Sequence, residues 1–291
     1  MRFLVLFLAL LAIQGCSETK AQQRNTPQVP EEFPTLIGGT PANPADWPAS
    51  VYARMGNSAC SATVVGEQVL IIASHCVSHG GSAAFSVGAN AYTSTCARSP
   101  KYRQGIDHDL ALCKVSKKVE GIKYENVNQD NALVKVGDTV LLTGYGCIRP
   151  GGGGGNDGIY RIGEAKVFGL PSGDNYDIYT KGRAALCYGD SGGSAYVYLD
   201  AEKTKRVMIS TNSKGDIREE SWITSVSTPA SVDFIKNWSA QNSVKICGVH
   251  SDATGCRDGG ENPPPTPPPA ETCKELYQKL GQCIKDEVIL K

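Results

Sequence analysis

Several residue types that mark common functional classes are scarce in this chain. Its 291 residues include only four histidines, so we expect no metal site, and no motif indicates a cofactor. Basic and acidic residues balance at 29 each without a basic run, which argues against nucleic acid as the main partner. The longest apolar run, residues 3–13, is too short to span a bilayer.

This apolar run follows Met1 and Arg2 and predicts a secretory signal. It ends in Ile-Gln-Gly-Cys, which resembles a bacterial lipobox with Cys16 lipidated after cleavage; ordinary signal cleavage nearby is the alternative. The chain has eleven cysteines. If Cys16 is lipidated, ten remain, an even number that could form disulfides in an oxidising compartment. We therefore expect a secreted or periplasmic protein, or one anchored to the bacterial outer membrane as a lipoprotein.

The most informative motif is Gly-Asp-Ser-Gly-Gly at residues 189–193. Upstream, His75 follows one apolar run and Asp109 opens another. A serine hydroxyl is a poor nucleophile until an imidazole takes its proton and a buried carboxylate orients that imidazole. The chain order His75, Asp109, Ser191 resembles that of a chymotrypsin-type serine peptidase.

The resemblance extends along most of the chain. Residues 36–39, Leu-Ile-Gly-Gly, resemble the mature N-terminus of these enzymes, and residues 140–146 resemble the strand that enters the loop beside the catalytic serine. Residues 231–238 match the closing helix. The resemblance implies an all-β fold of two six-stranded antiparallel Greek-key barrels with a C-terminal helix, and glycine-rich turns and β-branched runs agree with it.

The resemblance also implies a mechanism. Ser191 would attack the scissile carbonyl, His75 would transfer its proton to the leaving amine, and Asp109 would support the imidazolium. The backbone N–H groups of Gly189 and Ser191 would form the oxyanion hole.

In this family the carboxylate before the nucleophile has a separate role. Asp190 would pair with the α-ammonium of Leu36, released when the chain is cut before that residue. Until the cut, the oxyanion hole would be unformed. The full-length chain is therefore expected to be a zymogen.

The primary specificity pocket departs from that of trypsin. Ala185, six residues before Ser191, falls at its base, so a Lys or Arg side chain would enter without a counter-charge and at a large desolvation cost. Residues 210–212 are expected to replace the Ser-Trp-Gly segment of the resembled family, which puts Asn212 in the pocket. Ser221 is expected to line the pocket wall. We expect a preference for uncharged, apolar side chains.

The resemblance implies one disulfide, and the positions of the other cysteines give two more as hypotheses. They are, in that order, Cys60–Cys76, Cys96–Cys113 and Cys147–Cys187. The first would anchor His75 beside the cleft. Residues 210–225 lack the cysteine that usually bridges to Cys187, and Cys147 is the expected substitute.

Composition divides the chain into five parts. We expect a signal with the lipobox cysteine at 1–16, a tether and activation segment at 17–35, the peptidase domain at 36–248, a Pro/Gly-rich linker at 249–270 and a helical tail at 271–291.

The tail carries Cys273 and Cys283. These would pair with each other across a broken helix, with Cys247 and Cys256, or with another chain. The tail is expected either to contact a partner or the catalytic domain, or to be an appendage without a partner.

The sequence thus predicts a secreted serine endopeptidase that hydrolyses protein or peptide substrates through an acyl-enzyme. One alternative is a catalytically silent binding module on the same fold; such proteins usually lose a triad residue, and here all three are present. A regulatory peptidase inhibited by its tail and an esterase with little peptide-bond activity are the others.

Overall fold

The computed structural model describes residues 36–103, 108–154 and 157–258. The predicted signal, tether and helical tail fall outside these ranges, and so do Cys16, Cys273 and Cys283. Within them, no helix has the length and apolar character needed to cross a membrane.

Six antiparallel strands close the first barrel, after a two-residue strand β1 (Thr40–Pro41) that pairs with the second barrel. Their bounds are β2 Ser50–Met55, β3 Ser58–Gly66, β4 Val69–Ile72, β5 Ser82–Val87, β6 Asn90–Arg98 and β7 Ala111–Val115. The order around the barrel is β2-β3-β4-β7-β6-β5. This is a Greek-key path.

The second barrel repeats the same path. Its strands are β8 Thr139–Gly144, β9 Arg161–Gly169, β10 Asp177–Lys181, β11 Ser194–Tyr198, β12 Arg206–Gly215 and β13 Glu220–Ser225. They run in the order β8-β9-β10-β13-β12-β11, and pairing of β11 with β8 closes the ring. The predicted double-barrel fold is confirmed.

Strand β4 shows how the sequence places the barrels against each other. All four of its residues are buried, and alternate side chains point to opposite faces of a strand. Leu70 and Ile72 pack into the core of the first barrel, whereas Val69 and Ile71 pack into the core between the barrels. A strand covered on both faces carries a continuous apolar run, and this one ends just before His75.

The predicted C-terminal helix is also confirmed. Helix α1 (Pro229–Asn242) begins at a proline, and the Thr228 hydroxyl accepts a hydrogen bond from the Ser231 N–H. Both features favour a helix start, because proline needs no backbone partner there and the hydroxyl satisfies a free N–H group. Ile235 and Trp238 pack into the core between the barrels.

Residues 249–258, which we expected to open the linker, pack against the first barrel instead. The Tyr124 N–H donates to the Gly255 carbonyl at 2.9 Å, and the Arg257 N–H donates to the Tyr124 carbonyl at 2.8 Å. A disulfide between Cys247 and Cys256 closes this segment. That bond occupies both cysteines, so they are not partners for the tail cysteines in this structure.

A buried ion pair connects the segment between the barrels to β12. The Arg206 guanidinium bonds to the Glu125 carboxylate, and the two side chains are 5% and 1% exposed. The guanidinium carbon lies 3.4 Å from the centre of the Trp47 ring, and a second N–H donates to the Asp46 carbonyl at 2.7 Å. The cost of removing each charge from water is therefore offset by the opposite charge and by these hydrogen bonds.

Removing the Glu125 carboxylate should destabilise the fold strongly. We expect Glu125→Ala to lower the free energy of unfolding by about 3–5 kcal/mol, because Arg206 would stay buried without a counter-charge. Glu164→Ala is the matched control, since Glu164 pairs with Lys203 at the surface and should contribute less than about 1 kcal/mol. Urea denaturation measures both, and equal losses would contradict the prediction.

Candidate active site

The pairing of β4 with β7 brings His75 and Asp109 together. His75 lies in a 3₁₀ turn, Ser74–Cys76, directly after β4, and Asp109 lies just before β7. Ile72 is opposite Ala111 in the sheet, so the two loops lie side by side. His75 Nδ1 is 2.6 Å from Asp109 Oδ2, and the His75 N–H donates to Oδ1 at 2.8 Å.

Two residues of β12 complete the surroundings of Asp109. The Ser213 hydroxyl donates to Asp109 Oδ2 at 2.8 Å, and the Thr211 hydroxyl donates to the Asp109 carbonyl at 3.1 Å. The Asp109 side chain is 9% exposed, compared with 35% for His75. The carboxylate thus holds a proton on His75 Nδ1, which leaves Nε2 free to accept one on the open side of the ring.

His108, which sequence reasoning did not single out, fixes the backbone next to Asp109. Its Nδ1 bonds to the Ser99 hydroxyl, and its Nε2 lies 2.8 Å from the Ser231 hydroxyl in α1. Burial lowers the pKa of His108 to about 4, so the ring is neutral at pH 7. Its φ of 41° is uncommon for a residue other than glycine, and these contacts hold it there.

The turn that carries Ser191 packs against the first barrel. The Ser61 N–H donates to the Ser191 carbonyl at 2.9 Å. A Cβ on Gly192 would lie 2.5 Å from the Ser61 carbonyl oxygen and 3.0 Å from the Ala73 nitrogen, so only glycine fits this approach. Ser191 Oγ and His75 Nε2 do not form a hydrogen bond here; in ligand-free sites such bonds are often long.

Two backbone donors in this turn are free. The N–H groups of Asp190, Gly192 and Gly193 donate to carbonyl groups of the described chain. Those of Gly189 and Ser191, in contrast, donate to no group in the described residues. Gly189 has a φ of 101°, which is readily available only to glycine. The arrangement leaves two adjacent donors for a negatively charged oxygen.

Asp190 is fully buried beside this pair of donors. Its carboxylate accepts hydrogen bonds from the backbone N–H groups of Gly146 and Cys187, each at 2.9 Å. Within the described chain it has no ion-pair partner, and burial raises its pKa to about 7. Leu36 is also fully buried, in the core of the second barrel, but it does not bond to Asp190 in the uncut chain.

Of the expected pocket residues, Ala185 and Ser221 lie close together and Asn212 lies elsewhere. The Leu186 N–H donates to the Ser221 hydroxyl at 2.9 Å. The Asn212 amide is buried beneath the nucleophile turn, where it donates to the carbonyl groups of Thr143 and Asp190. We expected Asn212 in the specificity pocket, whereas its side chain is fully buried here.

Ser213, Lys214 and Gly215 follow Asn212 at the end of β12. Asn212 pairs with Ile223 and Lys214 pairs with Trp222, so Ser213 is the extra residue of a β-bulge. Bulges re-aim side chains next to active sites, and this one turns Ser213 toward Asp109. The sequence did contain a signal for aligning this segment. Residues 213–215, Ser-Lys-Gly, keep the serine and the glycine of the family's Ser-Trp-Gly segment.

The structure contains the three disulfides that we expected. They are Cys60–Cys76, Cys96–Cys113 and Cys147–Cys187. A ring nitrogen of His75 lies within 4.8 Å of the first pair of sulfur atoms, which are bonded to each other and are not free thiolates. The second bridge joins residues directly opposite on β6 and β7, the strand that follows Asp109.

A family model described as Trypsin matches residues 36–201, more than half of the chain. The matched range includes His75, Asp109 and Ser191, and it begins at Leu36.

Asp190 should make the uncut chain less stable as the pH rises from about 4 to about 7. In this window the folded state keeps a proton that the unfolded chain has lost, so the free energy of unfolding falls with pH. Unfolding in urea at several pH values should show a smaller fall for Asp190→Asn. His108 titrates with the opposite sign between about pH 4 and 6.5, but it is present in both proteins. Identical pH profiles would contradict the prediction.

Proposed function

Because the chain belongs to the trypsin family of serine peptidases, which act on proteins or peptides, we propose that it is a serine endopeptidase with the triad Ser191, His75 and Asp109. The observation that carries this proposal is the His75–Asp109 pair beside the nucleophile turn. The buried carboxylate fixes the imidazole by two bonds, at 2.6 and 2.8 Å.

Catalysis proceeds in two steps. His75 Nε2 takes the proton of Ser191 as its Oγ attacks the scissile carbonyl, and the imidazolium then gives that proton to the leaving amine. Water releases the acyl group from Ser191 by the same route. The free N–H groups of Gly189 and Ser191 stabilise the oxyanion formed in each step.

Cleavage before Leu36 activates the enzyme in this proposal. A new ammonium at Leu36 would supply the cation that the buried Asp190 lacks in the described, uncut chain. The fully buried positions of both residues and the raised pKa of Asp190 support this pairing. Pairing would lower the pKa of Asp190 and keep its carboxylate charged.

The proposal includes secretion as a precursor. Residues 1–16 would direct export, with Cys16 as a lipid anchor, and no cysteine in residues 17–35 would hold the two parts together after the cut. Activation would therefore release the catalytic domain. Ala185 at the pocket base supports cleavage after uncharged side chains rather than Lys or Arg.

A fluorophosphonate probe tests the nucleophile and the activation step together. The full chain would be compared with the same chain cut before Leu36 by a site-specific peptidase whose recognition sequence replaces residues 31–35. We expect labelling only after the cut, because only then does Asp190 gain the cation that keeps its carboxylate charged and holds the turn that carries the two donors in its active position. Ser191→Ala is the control and should not label in either form.

The outcomes separate the alternatives. Labelling of the uncut chain would contradict the zymogen mechanism while keeping the peptidase. Labelling with ester turnover but no peptide turnover would indicate an esterase. A cut chain that folds but does not label would indicate a catalytically silent binding module or a peptidase inhibited by its tail.

Replacing Asp109 tests the role of the carboxylate. Asp109→Asn keeps the size of the side chain but favours the wrong imidazole tautomer, and we expect kcat to fall by roughly 10⁴-fold. Peptide hydrolysis by the cut chain measures the loss. Asp130→Asn, on a loop between the barrels, is the control and should leave kcat unchanged; a similar kcat for Asp109→Asn and the unmodified enzyme would exclude the triad.

A further inference from the structure

An open groove of about 710 Å³ is lined by residues of both barrels and by none of the proposed triad. Its floor includes the buried side chains of Trp47, Val51 and Tyr160, and the half-buried Tyr145 lines it with them. The centre of the Tyr160 ring lies 5.7 Å from that of Trp47 and 4.9 Å from that of Tyr145. Three adjoining aromatic rings thus line one groove.

The rim of the groove is exposed and nearly without charge. Pro44 and Ala89 are exposed there, and Ile159 is 43% exposed, although it is a large apolar residue. Among the described residues that line the groove, Glu120 is the only charged one. Such a surface suits an uncharged segment of chain, because a charged one would lose its water without gaining a partner.

The described chain ends beside this groove. The Arg257 guanidinium donates to the Asp46 carbonyl at 3.0 Å, and the next residue, Trp47, lines the groove. The Arg257 N–H donates to the Tyr124 carbonyl at 2.8 Å, two residues after Ile122, which lines the groove as well. Both contacts hold Arg257 against segments that continue into the groove wall.

The sequence that follows has the composition that aromatic grooves bind. Residues 262–269, Asn-Pro-Pro-Pro-Thr-Pro-Pro-Pro, carry no charge and predict a polyproline II helix. Segments of this kind bind aromatic-lined grooves in peptide-recognition domains, because their stiffness reduces the entropy lost on binding. Only residues 259–262 separate the first proline from the described chain, and four residues span at most about 14 Å.

The predicted helical tail suits the groove less well. Residues 271–291 contain eight charged side chains, whereas the groove offers one charge among its described residues. The seven residues 263–269 in a polyproline II helix would also extend the chain by about 22 Å before the tail begins. The proline-rich segment is therefore the occupant that charge and distance favour.

We propose that residues 262–269 bind in this groove as a polyproline II segment of the same chain. The prolines would pack on the aromatic floor and displace water from the apolar rim. The segment would then contact both barrels and form a bound part of the domain rather than a free spacer. This inference does not depend on the proposed peptidase function.

Photo-crosslinking in the full, oxidised chain tests this proposal. p-Benzoylphenylalanine would replace Ile159, and because that side chain is largely exposed, the variant should fold. On irradiation we expect a cross-link within one chain to residues 262–269, identified by mass spectrometry of the digested protein. Ala89, exposed in the turn between β5 and β6, is a second position with the same expected product.

Phe168 is the matched control position. It is an aromatic residue of β9 that is 57% exposed and does not line the groove, so the same substitution there should give no cross-link to residues 262–269. Replacing the six prolines of this segment by serine should abolish the cross-link from position 159, because the tether keeps its length but loses the polyproline conformation. Leu280→Ser, in the tail, should leave the cross-link unchanged.

The other outcomes would each overturn the proposal. A cross-link from position 159 to residues 271–291 would make the tail the occupant, and a cross-link between two chains would make it a second copy. Equal cross-linking from position 168, or in the serine variant, would show that the tether alone brings the segment near. A folded chain that gives no cross-link from either groove position would show that the segment does not bind there.

Discussion

The active-site half of the second barrel is organised around one buried carboxylate. A Cβ on Gly144 would lie 2.1 Å from Asp190 Oδ1, and a Cβ on Gly146 would lie 2.7 Å from the same atom. A Cβ on Gly193 would lie 3.0 Å from the Asp190 carbonyl oxygen. The Gly-Tyr-Gly and Gly-Asp-Ser-Gly-Gly motifs, more than 40 residues apart, are therefore two sides of one close contact.

The first barrel carries His75 and Asp109, the proposed base and its orienting carboxylate, but not the whole site. Ser213 and Thr211 reach Asp109 from β12 of the second barrel. Ser61, on β3 of the first barrel, bonds to the Ser191 backbone and, through its hydroxyl, to the Gly189 carbonyl at 2.8 Å. Each barrel thus positions groups that the other carries, and the geometry depends on how they pack.

The fold and the positions of His75, Asp109 and Ser191 could be predicted because short motifs and their order carry that information. The three disulfides could be anticipated for a similar reason, since few cysteines were available for each pair. The position of Asn212 could not. Its amide is held beneath the nucleophile turn by hydrogen bonds to the carbonyl groups of Thr143 and Asp190, and such contacts between distant segments leave no trace in the pattern of apolar residues.

Contacts between residues that are far apart in the chain could not be predicted from the sequence either. His108 is one histidine among four, and only the approach of Ser99 and Ser231 shows that its ring joins two loops. Likewise, residues 249–258 look like the start of a linker by composition. Their backbone hydrogen bonds to Tyr124 exist only because α1 directs the chain back to the first barrel.

Helix α1 and the residues that follow it connect the second barrel back to the first. The chain leaves the second barrel through α1, crosses to the first barrel, and is held there by the backbone hydrogen bonds of Gly255 and Arg257 with Tyr124 and by the Arg257 guanidinium, which donates to the Asp46 carbonyl at 3.0 Å. Rocking of one barrel against the other would have to break these contacts, so residues 249–258 oppose separation of the two barrels.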